Sequence, residues 1–274
     1  MTTNMDWQGD VGRVWAEMYR QTDRSFAGLT QQLLDRITAI PGEAVLDIGC
    51  GAGELALAIA RVRPRARVIG IDVSPALVEV ATSRAAHHPN AGFAVADASR
   101  WRDPAFAPDL IVSRHGVMFF ADPVAAFAHL REQAAPGARL VFSCFRSPRD
   151  NRWVPDMRML FPDDPPAPPP QPGAPGPFAF ADPDRVAPIL QEAGWHDLGF
   201  EAVDFAYVAG TGTDPVADAL AYFSRIGPAA TAIRAHPEAE RARALARLRA
   251  WIEENVSASL VAFPAAAWIV SATA

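Results

Sequence analysis

The chain of 274 residues carries a formal net charge of -6, and half of its residues are hydrophobic. That fraction supports a sizeable core and excludes global disorder, and the length suits one large domain with an insertion. The acidic balance argues against nucleic acid as the main partner, because phosphate binding requires a basic surface. No apolar stretch reaches the roughly 20 residues of a membrane span, and the N-terminus lacks a secretory-signal pattern.

The cysteines and basic residues narrow the chemistry further. Two cysteines, Cys50 and Cys144, cannot form a disulfide scaffold, and they favour a reducing, cytoplasmic location. All 25 basic residues are arginine, which is a bias typical of a GC-rich bacterial genome. Because the chain has no lysine, catalysis by a lysine side chain is excluded. The six histidines show no metal-ligand spacing, and we expect no metal site.

The first part of the chain is predicted to be helical, and an α/β pattern follows it. Residues 1–40 form an N-terminal helical cover of one or two helices. Short apolar runs then alternate with helical stretches, which is typical of a parallel sheet covered on both faces. The predicted strands are 44–48, 67–72, 92–96, 109–113 and 138–145, and the predicted helices between them are 54–61, 75–86 and 123–136.

Proline interrupts this pattern after the fifth strand. Nine of the sixteen residues from 162 to 177 are proline, which excludes helix and strand interiors and predicts a Pro-rich flap over 155–180. A helix from Pro183, a strand near 200–208 and a closing strand at 268–271 follow. Residues 213–259 are predicted to be a helical lid insertion, so residues 41–212 and 260–274 form the core.

A glycine-rich loop follows the first strand. Gly49, Cys50, Gly51 and Gly53 lie between strand and helix, where glycine permits a tight turn and close approach of a ligand. The spacing is G-x-G-x-G, whereas a dinucleotide fingerprint is G-x-G-x-x-G. Asp47 precedes the loop, where a carboxylate would repel pyrophosphate and attract an ammonium group, directly or through water. Capping of the helix that follows the loop is the alternative role for Asp47, and the two are compatible.

Two further acids end the second and third strands. Asp72, followed by Val73, is placed to accept hydrogen bonds from two ribose hydroxyls. Asp97 can accept a hydrogen bond from an adenine amine while the Ala98 amide donates to a ring nitrogen. An amino-acid end, a ribose and an adenine without phosphate describe S-adenosylmethionine.

With these motifs the chain resembles the class I S-adenosylmethionine-dependent methyltransferases. More narrowly, it is similar to bacterial small-molecule enzymes related to the ubiquinone and menaquinone methyltransferases. The resemblance rests on VLDIGCGAGELAL, VIGIDVSPALVEVA, FAVADA, SRHGVMFFADPVAAF and the N-terminal segment from Trp7 to Arg24. It implies a Rossmann-like sheet of seven mostly parallel strands whose last strand is antiparallel, with the N-terminal segment folded over the cofactor.

The end of the fourth strand supplies the remaining cofactor and catalytic candidates. Ser113 and Arg114 are expected beside the cofactor, because ligands bind at the carboxyl ends of such strands. His115 stands where the resembled subgroup usually has phenylalanine. It is either a general base or a packed ring that replaces an aromatic side chain, and the sequence leaves both interpretations open.

Aromatic residues near the predicted crevice suggest an apolar, ring-containing acceptor. For each of them, ordinary packing is the alternative. Trp15 is expected to cover the cofactor. The candidates for the acceptor pocket are Tyr19, Trp153, Phe161, Phe178 and Tyr222.

The sequence therefore predicts methyl transfer from S-adenosylmethionine to an O, C or N nucleophile of a small apolar metabolite. S-adenosylhomocysteine would be the product, and a small-molecule acceptor would be the partner. Two alternatives remain: a noncatalytic binding module with this fold, or an NAD-dependent oxidoreductase, which the loop spacing and Asp97 oppose.

Overall fold

The computed structural model describes residues 4–161 and 173–274. The middle of the predicted Pro-rich flap, residues 162–172, therefore lies outside the described residues. Three helices begin the chain: α1 (Asn4–Gln8), α2 (Asp10–Glu17) and α3 (Tyr19–Thr38). The buried side chains of α3, among them Phe26, Leu29 and Leu33, recur at helical spacing, so one face of α3 packs against the core.

Strands and helices then alternate as the apolar pattern predicts. Ser74 and Asp122 cap two of the helices: Leu77 N lies 3.4 Å from Ser74 Oγ, and the Ala125 amide donates to Asp122 Oδ1 at 3.0 Å. A proline follows each cap residue and occupies the first helical position. The elements are β1 (Ala44–Ile48), α4 (Glu54–Val62), β2 (Arg67–Asp72), α5 (Pro75–Arg84), β3 (Ala91–Val95), β4 (Leu110–Arg114), α6 (Pro123–Gln133) and β5 (Arg139–Phe145).

In the second half, the described residues form five further helices and three further strands. They are α7 (Trp153–Met159), α8 (Pro183–Glu192), β6 (His196–Thr211), α9 (Pro215–Phe223), α10 (Pro228–Ala235), α11 (Glu238–Glu254), β7 (Val256–Ser257) and β8 (Leu260–Thr273). Helix α9 packs on β6 and β8, and α11 packs on α9. No described helix combines the length and apolar character that a bilayer crossing requires.

The sheet confirms the predicted fold class. Its strand order is β3-β2-β1-β4-β5-β8-β6, with the short β7 paired to β8. Strands β1 to β5 pair in parallel, and β8 runs antiparallel to both β5 and β6. This mostly parallel sheet with an antiparallel strand is the Rossmann-like arrangement expected from the sequence.

The structure corrects several element boundaries. The region predicted as one helical stretch, residues 213–259, is three helices followed by β7. Pro228 is the first residue of the second helix, and Pro237 is the N-cap residue of the third. The closing strand begins at Leu260 rather than at 268, since its alanine-rich first half carries little strand signal. Helix α7 occupies residues 153–159, where the sequence predicted the beginning of the flap.

Candidate functional site

A cavity of about 590 Å³ opens at the carboxyl ends of β1, β2 and β4. Its floor is the glycine loop, and its sides are the residues that follow β2, β3 and β4. Side chains of α1, α2 and α3 also line it, among them Trp7, Trp15 and Tyr19. This is the crevice in which an open α/β sheet binds ligands.

The glycine loop has a conformation that suits glycine. Gly49, Gly51 and Gly53 all have positive φ, at 60°, 54° and 83°. A Cβ on Gly51 would meet no atom within 4 Å, so this residue leaves the cavity floor open to a ligand. Gly53 does not line the cavity; a Cβ there would come within 2.9 Å of the Phe93 ring, so its role is close packing.

Asp47 is a buried carboxyl group at the cavity wall. Its Oδ2 accepts a hydrogen bond from the Ala56 amide at 3.1 Å, whereas its Oδ1 has no partner among the described residues. Burial raises the pKa of Asp47 to about 7, although the charge of Arg114 and the Ala56 amide lower it. An unsatisfied buried oxygen of this kind fits a positively charged ligand group.

Asp72 is the acid at the end of β2. Its Oδ2 accepts from the Gly51 amide and its Oδ1 accepts from the Ser74 amide, both at 2.9 Å. These bonds fix the carboxylate between the glycine loop and α5, and burial raises its pKa. Each oxygen keeps a lone pair for a ligand hydroxyl. The following residue, Val73, also lines the cavity.

Asp97 follows β3 and borders the same cavity as Asp72. Its Oδ1 accepts hydrogen bonds from the Ser99 amide at 2.9 Å and from the Ser99 hydroxyl at 2.7 Å. Asp97 and Ala98 both line the cavity, together with the exposed Arg100. The three acids predicted as ligand groups thus border one cavity.

Two of the three residues nominated at the end of β4 reach the cavity. Arg114 and His115 line it, but Ser113 does not. The Ser113 hydroxyl donates to the Ile48 carbonyl at 2.7 Å and accepts from the Gly116 amide at 3.1 Å. Ser113 therefore shapes the turn that positions its neighbours.

His115 is a buried ring with an unusual backbone conformation. Its φ is 64°, and its amide donates to the Ser143 carbonyl at 3.1 Å. The ring stacks on Phe145 with centroids 4.2 Å apart and meets Phe26 edge-on. Burial lowers the pKa of His115 to about 3, so the imidazole is neutral near pH 7.

The helical cover contributes side chains that the sequence did not nominate individually. Trp7 contacts Trp15 at 5.2 Å and Phe119 at 5.5 Å between ring centroids, which joins α1 to the loop after β4. Asp23 and Phe26 of α3 also line the cavity. Trp7 and Asp23 belong to the N-terminal motif, but Phe26 carried no local signal.

Four predicted acceptor-pocket residues lie outside the lining: Trp153, Phe161, Phe178 and Tyr222. Trp153 stacks on Tyr207 at 4.3 Å, and the Tyr222 hydroxyl lies 2.9 Å from that of Tyr207. Trp153 and Tyr222 pack behind the wall, where β6, α7 and α9 meet. Tyr19 is the member of the predicted set that borders the cavity.

Within residues 4–161 and 173–274, no cluster of His, Cys, Asp or Glu could hold a metal ion.

Comparisons with known proteins identify a family for the chain. A family profile described as a methyltransferase domain matches residues 18–198. A trans-aconitate 2-methyltransferase from Paracidovorax citrulli is 30% identical over 226 residues, covering 77% of this chain and 84% of that protein. Another trans-aconitate 2-methyltransferase, from Methylobacterium radiotolerans, is 33% identical over 172 residues, covering 61% of this chain and 60% of that protein. Aklanonic acid methyltransferase DauC from Streptomyces sp. strain C5 is 34% identical over 121 residues, covering 43% and 55%.

Several of these alignments thus span only about half to three fifths of the relatives' length. Among solved structures, the YcgJ protein of Bacillus subtilis superposes with a TM-score of 0.54 at 17% identity, covering 89% of this chain and 97% of that one. Phosphoethanolamine N-methyltransferase 2 of Haemonchus contortus, solved with S-adenosyl-L-methionine, superposes with a TM-score of 0.56 at 14% sequence identity. The superposition covers 99% of this chain and 60% of that one. At such identities the likeness is one of fold.

Proposed function

Since the chain belongs to the methyltransferase-domain family, we propose that it is an S-adenosylmethionine-dependent methyltransferase of small molecules. One observation carries the proposal: Asp47, Asp72 and Asp97, which lie at or just after the ends of three adjacent strands, border one cavity around an open glycine loop. The narrower relationship to ubiquinone and menaquinone methyltransferases stays a prediction.

The residues present fit this cofactor. The Asp72 carboxylate would accept the two ribose hydroxyls, and Asp97 with the Ala98 amide would hold the adenine edge. The unpartnered Oδ1 of Asp47 suits the ammonium group, and Gly51 leaves room for the chain of the methionine. Trp15 would cover the ligand from the helical cover.

Bound S-adenosylmethionine supplies a methyl group on a sulfonium, which is already a strong electrophile. The protein therefore has to align the acceptor and exclude water. Trp7, Trp15, Phe26, Phe119 and Phe145 give the wall an apolar, aromatic character. These rings support an acceptor with a ring, methylated at an O, C or N atom.

The role of His115 follows from its environment. The sequence left a general base and a packed ring as alternatives. A neutral ring between Phe26 and Phe145, with a pKa of about 3, would be a weak proton acceptor near pH 7. These observations support the packing role.

Calorimetry with S-adenosylhomocysteine tests the proposal. We expect Asp72→Asn to weaken binding of S-adenosylhomocysteine about tenfold to a hundredfold, because the substitution replaces a charged carboxylate acceptor with an uncharged amide. Asp204→Asn is the matched control, since this exposed carboxyl on β6 lies outside the cavity lining. If Asp72→Asn bound S-adenosylhomocysteine with wild-type affinity, the assignment of this cavity as the cofactor site would be wrong.

Two assays separate the alternatives. In a thermal-shift experiment, S-adenosylhomocysteine should stabilise the protein and NAD should not. Stabilisation by NAD alone would favour an oxidoreductase. Consumption of S-adenosylmethionine over a metabolite panel would distinguish an enzyme from a noncatalytic binding module.

A further inference from the structure

The charged side chains around the cavity are unevenly balanced. Five acidic residues line its described part, against two arginines, Arg100 and Arg114. The exposed Arg100 follows Asp97, on the side assigned to adenine. Arg114 is thus the cation next to the aromatic walls where an acceptor would lie.

The positive charge of Arg114 is already neutralised inside the protein. Its guanidinium forms an ion pair with Glu54 at the first turn of α4, and it donates to the Thr30 hydroxyl at 2.8 Å. Its second terminal nitrogen lies 3.8 Å from Asp23 Oδ1. The side chains of Arg114, Glu54 and Asp23 are all less than one-fifth exposed, so water screens these interactions little.

A second arginine secures Asp23. Arg84 of α5 lies 2.8 Å from Asp23 Oδ2 and donates to the Ala52 carbonyl at 2.7 Å. The group of Asp23, Glu54, Arg84 and Arg114 has no net charge. An anionic acceptor would find no uncompensated cation among these four side chains and would lie near the Asp23 carboxylate, which lines the cavity. Burying an unpaired anion is unfavourable, whereas an uncharged ring gains from contact with the aromatic walls.

We propose that Asp23 and Glu54 determine specificity: by neutralising Arg114 they make the cavity select an uncharged, ring-containing acceptor and reject anionic ones. This inference rests on the proposed function and names the substrate class of the same site. It sets the chain apart from the relatives named for trans-aconitate, which is a tricarboxylate. Asp23 borders the cavity, while Glu54 is a positioning residue that acts through Arg114.

The test compares two probes with the same ring system, 2-naphthol and 2-naphthoate. Both are titrated into the full-length protein saturated with S-adenosylhomocysteine at neutral pH, where only 2-naphthoate is charged. We expect wild type to bind 2-naphthol at least about tenfold more tightly. Equal affinities, tighter binding of 2-naphthoate, or no binding of 2-naphthol would overturn the inference.

The variants test the residues. Glu54→Gln removes the charge that neutralises Arg114 and should reduce the preference for 2-naphthol to about threefold or less, whereas Glu54→Asp should retain it. Asp23→Asn should also reduce the preference for 2-naphthol, and it replaces Glu54→Gln in the test if that variant does not fold. An unchanged preference in a folded variant would contradict the assignment. Failure of wild type to bind S-adenosylhomocysteine would instead count against the proposed function.

Discussion

Gly49 and Gly116 approach each other so closely that a Cβ on Gly49 would lie 2.8 Å from the Cα of Gly116. Gly49 belongs to the loop after β1, and Gly116 to the turn after β4. This contact joins the glycine loop, which forms the floor of the cavity, to the turn after β4, which forms one of its sides. It requires glycine on both sides, and the sequence motif by itself explained only Gly49.

The first prediction concerns Gly116→Ala. Its Cβ would lie 2.6 Å from the Ile48 carbonyl oxygen, so the backbone would have to shift. We expect a loss of about 1–3 kcal/mol in the free energy of unfolding and a clear loss of affinity for S-adenosylhomocysteine. Gly92→Ala is the control, because nothing lies within 4 Å of its Cβ position. Denaturant unfolding and calorimetry measure both, and a Gly116→Ala that matches Gly92→Ala would contradict the prediction.

The second prediction concerns Asp47 and pH. In the proposed binding mode the carboxylate form of Asp47 pairs with the ammonium of the cofactor, and the pKa of Asp47 in the folded protein is about 7. Affinity for S-adenosylhomocysteine should therefore rise as pH increases from about 6 to about 8. Calorimetry over this range measures the effect. Asp47→Asn should bind more weakly and lose the dependence; an equally steep profile in the variant would assign it to another group.

The third prediction is the effect of the same residue on stability. Because the folded-state pKa of Asp47 lies above its ordinary value of 3.8, the folded protein holds the proton more tightly than the unfolded chain. The stabilisation is complete below about pH 4 and is lost as pH rises through about 7. Asp47→Asn should thus become more stable relative to wild type as pH rises over this interval. Urea unfolding at several pH values tests the trend, and a constant difference would refute it.

The fourth prediction is that His115→Phe keeps its activity. Burial lowers the pKa of His115 to about 3, so the ring does not titrate near neutrality, and phenylalanine can make the same stack on Phe145. We expect turnover within about threefold of wild type with an unchanged pH profile, once the metabolite panel has supplied an acceptor. A loss of about a hundredfold or more with unchanged cofactor affinity would restore the general-base role.

The fifth prediction separates packing from binding at Tyr222. Its hydroxyl pairs with that of Tyr207 at 2.9 Å behind the cavity wall. Tyr222→Phe should therefore lower the free energy of unfolding by about 1–3 kcal/mol and leave S-adenosylhomocysteine affinity unchanged. The double variant with Tyr207→Phe should cost less than the two single changes together. Additive costs would mean that the two hydroxyls do not interact.

The sequence alone determined the sheet and three of the acids around its cavity. Apolar runs such as 44–48 alternate with helices, and this alternation leads to a parallel sheet. The carboxyl ends of neighbouring parallel strands meet at one edge, so Asp47, Asp72 and Asp97 could be placed together before any coordinates. Strong local signals, such as Ser74-Pro75, also fixed helix starts.

The tertiary structure decided which other side chains reach the cavity and in what state. Trp153 and Tyr222 pack behind the wall, while Phe26 and Asp23 come to line it, because α3, β6 and α9 meet through contacts between residues far apart in the chain. The same packing buries His115 and neutralises Arg114 with Glu54 and Asp23. Burial and charge pairing depend on the assembled surroundings of a side chain, and local sequence spacing does not encode them.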